Sequence, residues 1–267
     1  MKPSLATRLT RLCLLLLAWG ILLFLMLPVL AVIPLSFNAE PFLSYPLAGV
    51  SLRWYEAVLT SPQWMGALRS SLIVGAATVL IATPLGTLAA FGLVRRKMPG
   101  AHLLMGLLLL PMALPVVVVA LALYMFLTRI GLANSYAGLI ISHVVLATPF
   151  VLVTVTASLA GFDFTQIRAA ASLGARPLRV FFLVTLPQIA PGVATGAIFA
   201  FITSWDEVVV ALFVAGPGQR TLPRQMFAGL REQLDPSIMV VATIMIAISV
   251  LLVALGFLLR WRAGRQG

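Results

Sequence analysis

Charged side chains and cysteine are scarce in this chain of 267 residues. Only 9% of the residues are charged, just seven of them are acidic, and Cys13 is the single cysteine. One cysteine cannot form an internal disulfide, and no Cys/His spacing typical of a metal site is present. The chain also lacks Walker A, G-x-S-x-G and H-E-x-x-H patterns, so nothing in it indicates nucleotide hydrolysis, a serine hydrolase or a zinc protease.

Apolar side chains, in contrast, dominate the composition. They make up 61% of the residues, and the mean hydropathy is +1.10. A soluble core of this length could not bury so much apolar surface, so a lipid bilayer is the expected solvent. The net charge of +11 is carried by 18 Lys and Arg in short clusters between apolar runs, which favours membrane topology over nucleic-acid binding.

Six apolar runs are long enough to cross a bilayer as helices. They predict an all-α, polytopic membrane protein with a single transmembrane domain over residues 1–267. The first run is longer than the core of a cleavable signal peptide, so we expect it to be retained. The predicted spans are 12–36, 66–94, 101–128, 136–160, 189–214 and 238–259, with a short turn at 129–135 between the third and fourth.

The distribution of basic residues predicts the orientation of these spans. With the N-terminus inside, twelve of the 18 Lys and Arg lie on the cytoplasmic side and six on the other. This bias predicts that both termini are cytoplasmic. It also places the segment 163–187, which joins the fourth and fifth spans, on the cytoplasmic side.

The segment 163–187 is unusually polar for so apolar a chain. Asp163 and Gln166 form a capping-box pattern, which predicts a short helix over 164–173. Gly174 suits the left-handed position that ends a helix. The cost of placing so many polar residues in one internal loop indicates that a partner docks there.

A second helical piece is predicted from Pro177 to Leu186, with Pro187 opening the fifth span. The alternative is an ordinary amphipathic loop helix that rests on the membrane surface.

The spacing of this segment resembles the EAA loop of binding-protein-dependent ABC importer permeases. That signature reads EAA, three residues, Gly, nine residues, then I-x-L-P. Here the matching residues are Arg168-Ala169-Ala170, Gly174 and Val184-x-Leu186-Pro187. Arg168 departs from the usual Glu. The resemblance implies that Arg168, Ala169, Ala170 and Gly174 belong to a coupling helix that docks on an ATPase subunit.

Residues 202–223 extend the likeness, because they look like the fifth-span region of spermidine/putrescine permeases of the PotC type. The resemblance implies a type I importer permease (MetI-like) fold in the bacterial inner membrane. It further implies a second homologous permease, two ATPase subunits and a periplasmic binding protein as partners. ATP and Mg²⁺ would be bound by the ATPase, and no cofactor is expected in this chain.

Asp206 and Glu207 are the only carboxylates inside a predicted span. An ionisable group at that depth normally faces a bundle interior or a water-filled cavity. Neighbours on a helix point about 100° apart, so the two cannot both face one pathway, and Asp206 is the one expected to do so. Thr203 precedes it by one turn, and Trp205 could make a cation–π contact with an ammonium group. The alternative is that both carboxylates pair with a partner subunit.

These residues favour passage of a small cationic or amine-bearing solute, such as a polyamine. Polyamine permeases of this type usually carry a carboxylate after a proline in the third span, where this chain has Val116 after Pro115. A monoamine such as 4-aminobutyrate or an aminophosphonate is therefore the alternative substrate. A membrane-embedded enzyme using Asp206 and Glu207, and a self-sufficient secondary transporter, are the alternatives from other classes.

His143 lies in the middle of the fourth span. An interhelical hydrogen bond is the expected role, in preference to a proton relay.

Overall fold

The computed structural model describes residues 5–95, 100–232 and 236–263. Within these ranges the regular secondary structure is helical, apart from one isolated antiparallel bridge between Asn38 and Val50. The α-helices are α1 (Leu5–Leu35), α2 (Arg53–Thr60), α3 (Pro62–Arg95), α4 (Ala101–Ala113), α5 (Val116–Arg129), α6 (Tyr136–Ala160), α7 (Thr165–Ser172), α8 (Pro177–Val180), α9 (Leu186–Trp205), α10 (Val209–Val214), α11 (Leu222–Glu232) and α12 (Ser237–Ala263).

The predicted all-α membrane architecture is confirmed. Helices satisfy every backbone hydrogen bond within one segment, so apolar runs in a bilayer fold as helices. Among the described residues, five continuous helical stretches are long and apolar enough to cross a membrane, and the bent pair α4 and α5 makes a sixth span if it is counted as one. The five stretches are Leu9–Leu35, Pro62–Val94, Tyr136–Ala160, Pro177–Trp205 and Ser237–Leu258.

The predicted span over 101–128 is not one straight helix but a bent pair. α4 and α5 meet at an angle of 105°. Leu114 adopts an extended conformation (φ −85°, ψ 148°), as the residue before a proline tends to do. Pro115 lies immediately before α5 and has no N–H that could continue the helical hydrogen bonds of α4.

The predicted bounds of the fifth span, 189–214, were wrong at both ends. The helix starts earlier, at Pro177, and passes through the π-helical turn Phe181–Thr185 into α9. Pro187 therefore lies inside a longer helix. Its ring would clash with the carbonyl of Leu183 in a regular α-helix, and the wider π turn at that carbonyl accommodates it. At the other end, residues 206–208 separate α9 from α10.

The chain divides into two compact units, one of residues 1–61 and 229–247, the other of residues 62–228 and 248–267. The predicted single domain over 1–267 stays a prediction. In the first unit, α1 leads into a loop fastened by hydrogen bonds. Ser36 Oγ and Tyr55 Oη lie 2.8 Å apart, and Tyr45 Oη donates to the Ala31 carbonyl at 3.1 Å.

The second unit is built around α3, α6 and α9, which pack against one another. A stripe of small residues on α9 lets it approach α6 closely. A Cβ atom added at Gly196 would lie 2.7 Å from Thr154 Oγ1 and 3.1 Å from Val151 Cα. Gly192, Ala200 and Ser204 continue the stripe at every fourth position and are buried. This close packing holds the 163–187 segment and residues 206–208 on one scaffold.

Candidate functional site

The 163–187 segment begins directly after α6 with a capped turn. Asp163 Oδ1 accepts the Thr165 N–H at 2.9 Å, and Oδ2 accepts the Thr165 hydroxyl at 2.5 Å. These hydrogen bonds, led by the one from the Thr165 hydroxyl, lower the pKa of Asp163 from its usual value. The predicted capping box was wrong in both halves: the Gln166 N–H donates to the Asp163 backbone carbonyl rather than to its side chain, and the Gln166 amide oxygen accepts from Gln188 Nε2 at 2.5 Å.

The end of α7 confirms the predicted glycine turn. Gly174 has a φ of +79°, which an L-residue with a side chain adopts only at a cost. Its N–H donates to the Ala171 carbonyl at 2.9 Å, and the Ala175 N–H donates to the Ala170 carbonyl at 3.1 Å. This pair of bonds is a Schellman motif. The turn is therefore closed by the backbone itself and presents a defined shape.

One face of the segment anchors it to the bundle and the other is open. Ile167 and Val180 are buried in the main apolar cluster of the second unit. Arg168, Ala169 and Gly174 are exposed, and Ala170 is half-buried against that cluster. Three of the four predicted coupling residues therefore lie on the open face, and Ala170 lies at its edge.

Two large apolar side chains on the open face were missed by the sequence reasoning. Leu173 is 89% exposed and Leu178 is 73% exposed. Both lie near Gly174, where helical periodicity is interrupted, so the residue pattern does not place them on one helix face. Exposed apolar side chains beside a rigid turn are typical of a surface that binds another protein.

A second candidate site lies at residues 206–208, where the apolar helix α9 ends. The Asp206 N–H donates to the Ile202 carbonyl at 3.1 Å and closes the last turn of α9. Its carboxylate is exposed and has no hydrogen-bond or ion-pair partner among the side chains that the structure describes. The expectation that Asp206 and Glu207 diverge on one continuous helix was wrong, because neither lies in a helix.

Glu207 has a different environment from its neighbour. It is half-buried, and its Oε1 accepts the Val210 N–H at 2.8 Å. It thereby satisfies one of the free N–H groups at the start of α10, as a helix-capping side chain does. The chain therefore uses Glu207 for its own structure and leaves Asp206 available.

The other two predicted pathway residues lie on α9 just before the break. Trp205 is 1% exposed, and its ring stacks on Phe201 with centroids 5.5 Å apart. One face of the indole is therefore covered within the chain. Thr203 is half-buried. Of the four predicted pathway residues, Asp206 alone has an exposed functional group.

The two helix breaks of the second unit share one apolar cluster. Val116, at the first turn of α5, packs in the same cluster as Val209 and Val210 of α10. Position 116 is thus close to the acidic break in the fold, and this chain has no carboxylate there.

His143 makes the predicted interhelical hydrogen bond. Its Nδ1 lies 2.8 Å from Ser204 Oγ. This hydrogen bond joins α6 to α9 two residues before Asp206. In the described ranges, no three His, Cys, Asp or Glu side chains lie close enough together to hold a metal ion.

Comparison with known proteins gives a consistent result. Residues 82–263 match the family described as "Binding-protein-dependent transport system inner membrane component". The spermidine/putrescine transport system permease protein PotC of Escherichia coli K12 is 31% identical over 86% of this chain and 87% of its own length. The putrescine transport system permease protein PotI of the same strain is 33% identical over 91% and 89%.

The fold has a counterpart among solved structures. A chain of a bacterial ABC transporter involved in the import of the acidic polysaccharide alginate superposes with a TM-score of 0.73. The alignment covers 98% of this chain and 99% of that one at 14% identity. The predicted MetI-like permease fold is therefore confirmed.

Proposed function

Because this chain belongs to the binding-protein-dependent transport system inner membrane component family, and so is a permease subunit of an ABC importer, we propose that it carries a small amine-bearing cation. The favoured substrate is a polyamine such as spermidine or putrescine, as in the names of its relatives PotC and PotI. The unpartnered carboxylate of Asp206 at a break in an apolar span carries this proposal. An uncompensated anion at that depth is costly unless a cation visits it.

The proposed work cycle couples the two candidate sites. The coupling helix, which we call the knob, docks on an ATPase subunit through Arg168, Ala169, Ala170 and Gly174. The exposed Leu173 adds an apolar contact. The complex would contain this chain, a second homologous permease, two ATPase subunits and a periplasmic binding protein. ATP and Mg²⁺ bind to the ATPase, and its closure moves the knob and tilts the spans, which switches access from one side to the other.

This cycle requires the 163–187 segment on the cytoplasmic side, which is the orientation that the basic residues favour. Both termini would then also be cytoplasmic. The terminal residues 1–4 and 264–267 lie outside the described ranges, so the orientation follows from the charge count alone.

A monoamine is the second candidate substrate, and the apolar cluster around Val116 favours it. A polyamine carries several positive charges, and a second carboxylate near the acidic break would match them better than the valine present here. A single amine, as in 4-aminobutyrate or an aminophosphonate, needs only Asp206.

The enzyme alternative finds no support in the geometry. Acid/base catalysis needs two carboxylates that converge on one reacting atom. One oxygen of the Glu207 carboxylate accepts the Val210 N–H, whereas Asp206 is exposed without a partner among the described side chains, so the two have separate surroundings.

Substrate identity is tested with the complete complex in vesicles. We expect ATP-dependent uptake of radiolabelled putrescine or spermidine, and we expect an excess of unlabelled polyamine to compete while an equal excess of 4-aminobutyrate does not. ATP-dependent uptake of radiolabelled 4-aminobutyrate or 2-aminoethylphosphonate, without uptake of either polyamine, would instead establish a monoamine as the substrate. Uptake of neither class would contradict the proposed cationic pathway.

A further inference from the structure

A polar cleft lies at the opposite end of α6 from the 163–187 segment. Tyr136, the first residue of α6, lines it together with Gln63 and Arg69 of α3, and with Arg220 and Gln225. Its volume is about 650 Å³, and we call it the arginine cleft. The 25 residues of α6 place it about 37 Å from the segment that we assign to the ATPase.

The walls of the arginine cleft are fixed by hydrogen bonds between distant parts of the chain. Tyr136 Oη lies 2.8 Å from Ser70 Oγ and donates to the Gly218 carbonyl at 3.4 Å. The Leu222 N–H donates to Ser71 Oγ at 2.8 Å. These bonds join α3, α6 and the start of α11, so the cleft is preformed.

Arg220 of the cleft and the neighbouring Arg224 are held by neutral hydrogen bonds. Arg220 donates to Gln225 Oε1 at 3.3 Å, and the neighbouring Arg224 donates to the Gly216 carbonyl at 2.7 Å. No carboxylate lines the cleft, and no ion pair to Arg69, Arg220 or Arg224 exists among the described side chains. Burial, followed by the nearby charge of Arg220, lowers the pKa of Arg224.

The arginines of this cleft depart from the distribution of basic residues that orients the rest of the chain. Arginines are disfavoured in the outer loops of membrane proteins, and under the proposed orientation this cleft lies on the outer side. Neutral hydrogen bonds to backbone and amide oxygens leave the guanidinium charges unpaired. An anion from outside the chain is the missing partner.

We propose that the arginine cleft receives carboxylate side chains from the surface of the periplasmic binding protein. A guanidinium binds a carboxylate through two parallel hydrogen bonds, and Arg69 and Arg220 are both exposed. The cleft is far larger than one carboxylate, so it fits a protruding acidic loop. This inference rests on the proposed function, because it assigns a contact to the partner that the family requires.

The test uses the complete complex in neutral phosphatidylcholine vesicles, with ATP hydrolysis followed as the binding protein is titrated. Arg220→Glu should raise the half-stimulating concentration of binding protein by about tenfold or more at low salt. Its maximal rate should stay unchanged, because docking and not the motor is affected. Arg220→Lys should cause a smaller shift, since the charge remains but the bidentate geometry is lost. Arg129→Glu, an exposed arginine that does not line the cleft, is the matched control and should behave as wild type.

Each other outcome has a definite meaning. If wild type responds to the binding protein and Arg220→Glu responds identically, or if Arg129→Glu shifts as far, the docking inference is overturned while the proposed function stands. If the binding protein never stimulates ATP hydrolysis by the wild-type complex, both the proposed function and this inference are overturned. If inorganic phosphate alone stimulates wild type but not Arg220→Glu, the cleft is a site for a free anion, and the docking inference is overturned.

Discussion

Two adjacent carboxylates show how much the local backbone decides a residue's role. Glu207 completes the first turn of α10 by accepting the Val210 N–H, so its charge is used within the chain. Asp206 stands one position earlier, exposed and without a partner among the described side chains. A free carboxylate in apolar surroundings is retained at a cost in stability, which makes Asp206 the residue expected to meet a cationic substrate.

Replacing Asp206 with Asn should reduce the initial rate of polyamine uptake by at least about tenfold, the loss expected for a contact worth roughly 1.4 kcal/mol. The substitution removes the charge and keeps the size of the side chain. The measurement is uptake by vesicles containing the complete complex, with the amount of assembled complex checked by co-purification.

The neighbour provides the control for this experiment. Glu207→Gln keeps an oxygen that can accept the Val210 N–H, so its uptake should stay close to wild type. An equal loss in both variants would contradict the separation of roles. Loss of the assembled complex in Asp206→Asn would instead show that Asp206 pairs with a partner subunit.

The rarity of acidic residues in apolar runs was enough to single out this pair from the sequence. Their different roles were not predictable, because a continuous helix was assumed through position 206. The break is a product of packing, since the chain past Val208 forms α10 against α5 and α6. Burial of Trp205 against Phe201 has the same tertiary origin. His143 was predictable because a buried polar group in a span needs an interhelical partner.

Among the elements, the turn after α7 is the one most completely specified by local sequence. Gly174 adopts the left-handed backbone, and its Schellman bonds involve only residues 170–175. Because this turn depends only on neighbouring residues and not on tertiary packing, it could be predicted from the sequence.

Gly174→Ala should weaken coupling between ATP hydrolysis and transport. An alanine in this conformation costs about 1 kcal/mol or more, so the turn is expected to loosen rather than unfold. We expect fewer solutes moved per ATP hydrolysed, measured as both rates in one vesicle preparation. Gly161→Ala is the matched control, since its φ is −95° and nothing lies within 4 Å of the added Cβ. A matching loss in Gly161→Ala would point to a general sensitivity of the loop.

Leu173→Asp should disrupt binding of the ATPase subunit. The side chain is 89% exposed, so the change costs the isolated permease little, but it places a charge in an apolar contact. We expect the permease to reach the membrane in normal amounts and to co-purify with much less ATPase. Leu173→Met preserves the apolar contact and should retain the ATPase. Normal recovery of ATPase with Leu173→Asp would remove this side chain from the docking surface.

The helix breaks mark the limit of prediction at this scale. Pro84, Pro149 and Pro191 all lie inside helices, whereas the chain bends by 105° beside Pro115. Neighbouring helices can satisfy the groups that a proline frees, so the presence of proline alone does not say where a span breaks. The surroundings of Pro115 decide it, and those surroundings are tertiary.

For the whole molecule, composition and run length sufficed to predict an all-α membrane protein, because the bilayer leaves so few ways to satisfy the backbone. The bundle of α3, α6 and α9 is held by close contacts at small residues such as Gly196. Such an interface favours movement as a rigid body. The sequence contains no Walker A nucleotide-binding motif. The candidate sites lie at residues 206–208, in the arginine cleft and on the 163–187 segment.

A rigid bundle without a motor should be unable to concentrate solute by itself. We expect this chain, purified alone and reconstituted in vesicles, to show no accumulation of putrescine with or without ATP. The complete complex should accumulate it only when ATP and Mg²⁺ are present on the side of the 163–187 segment, since ATP hydrolysis is the only source of work available to it. The same complex without ATP controls for passive leak. Accumulation by the single chain, driven by an ion gradient, would mean that it is a secondary transporter and that the exposed 163–187 segment has another purpose.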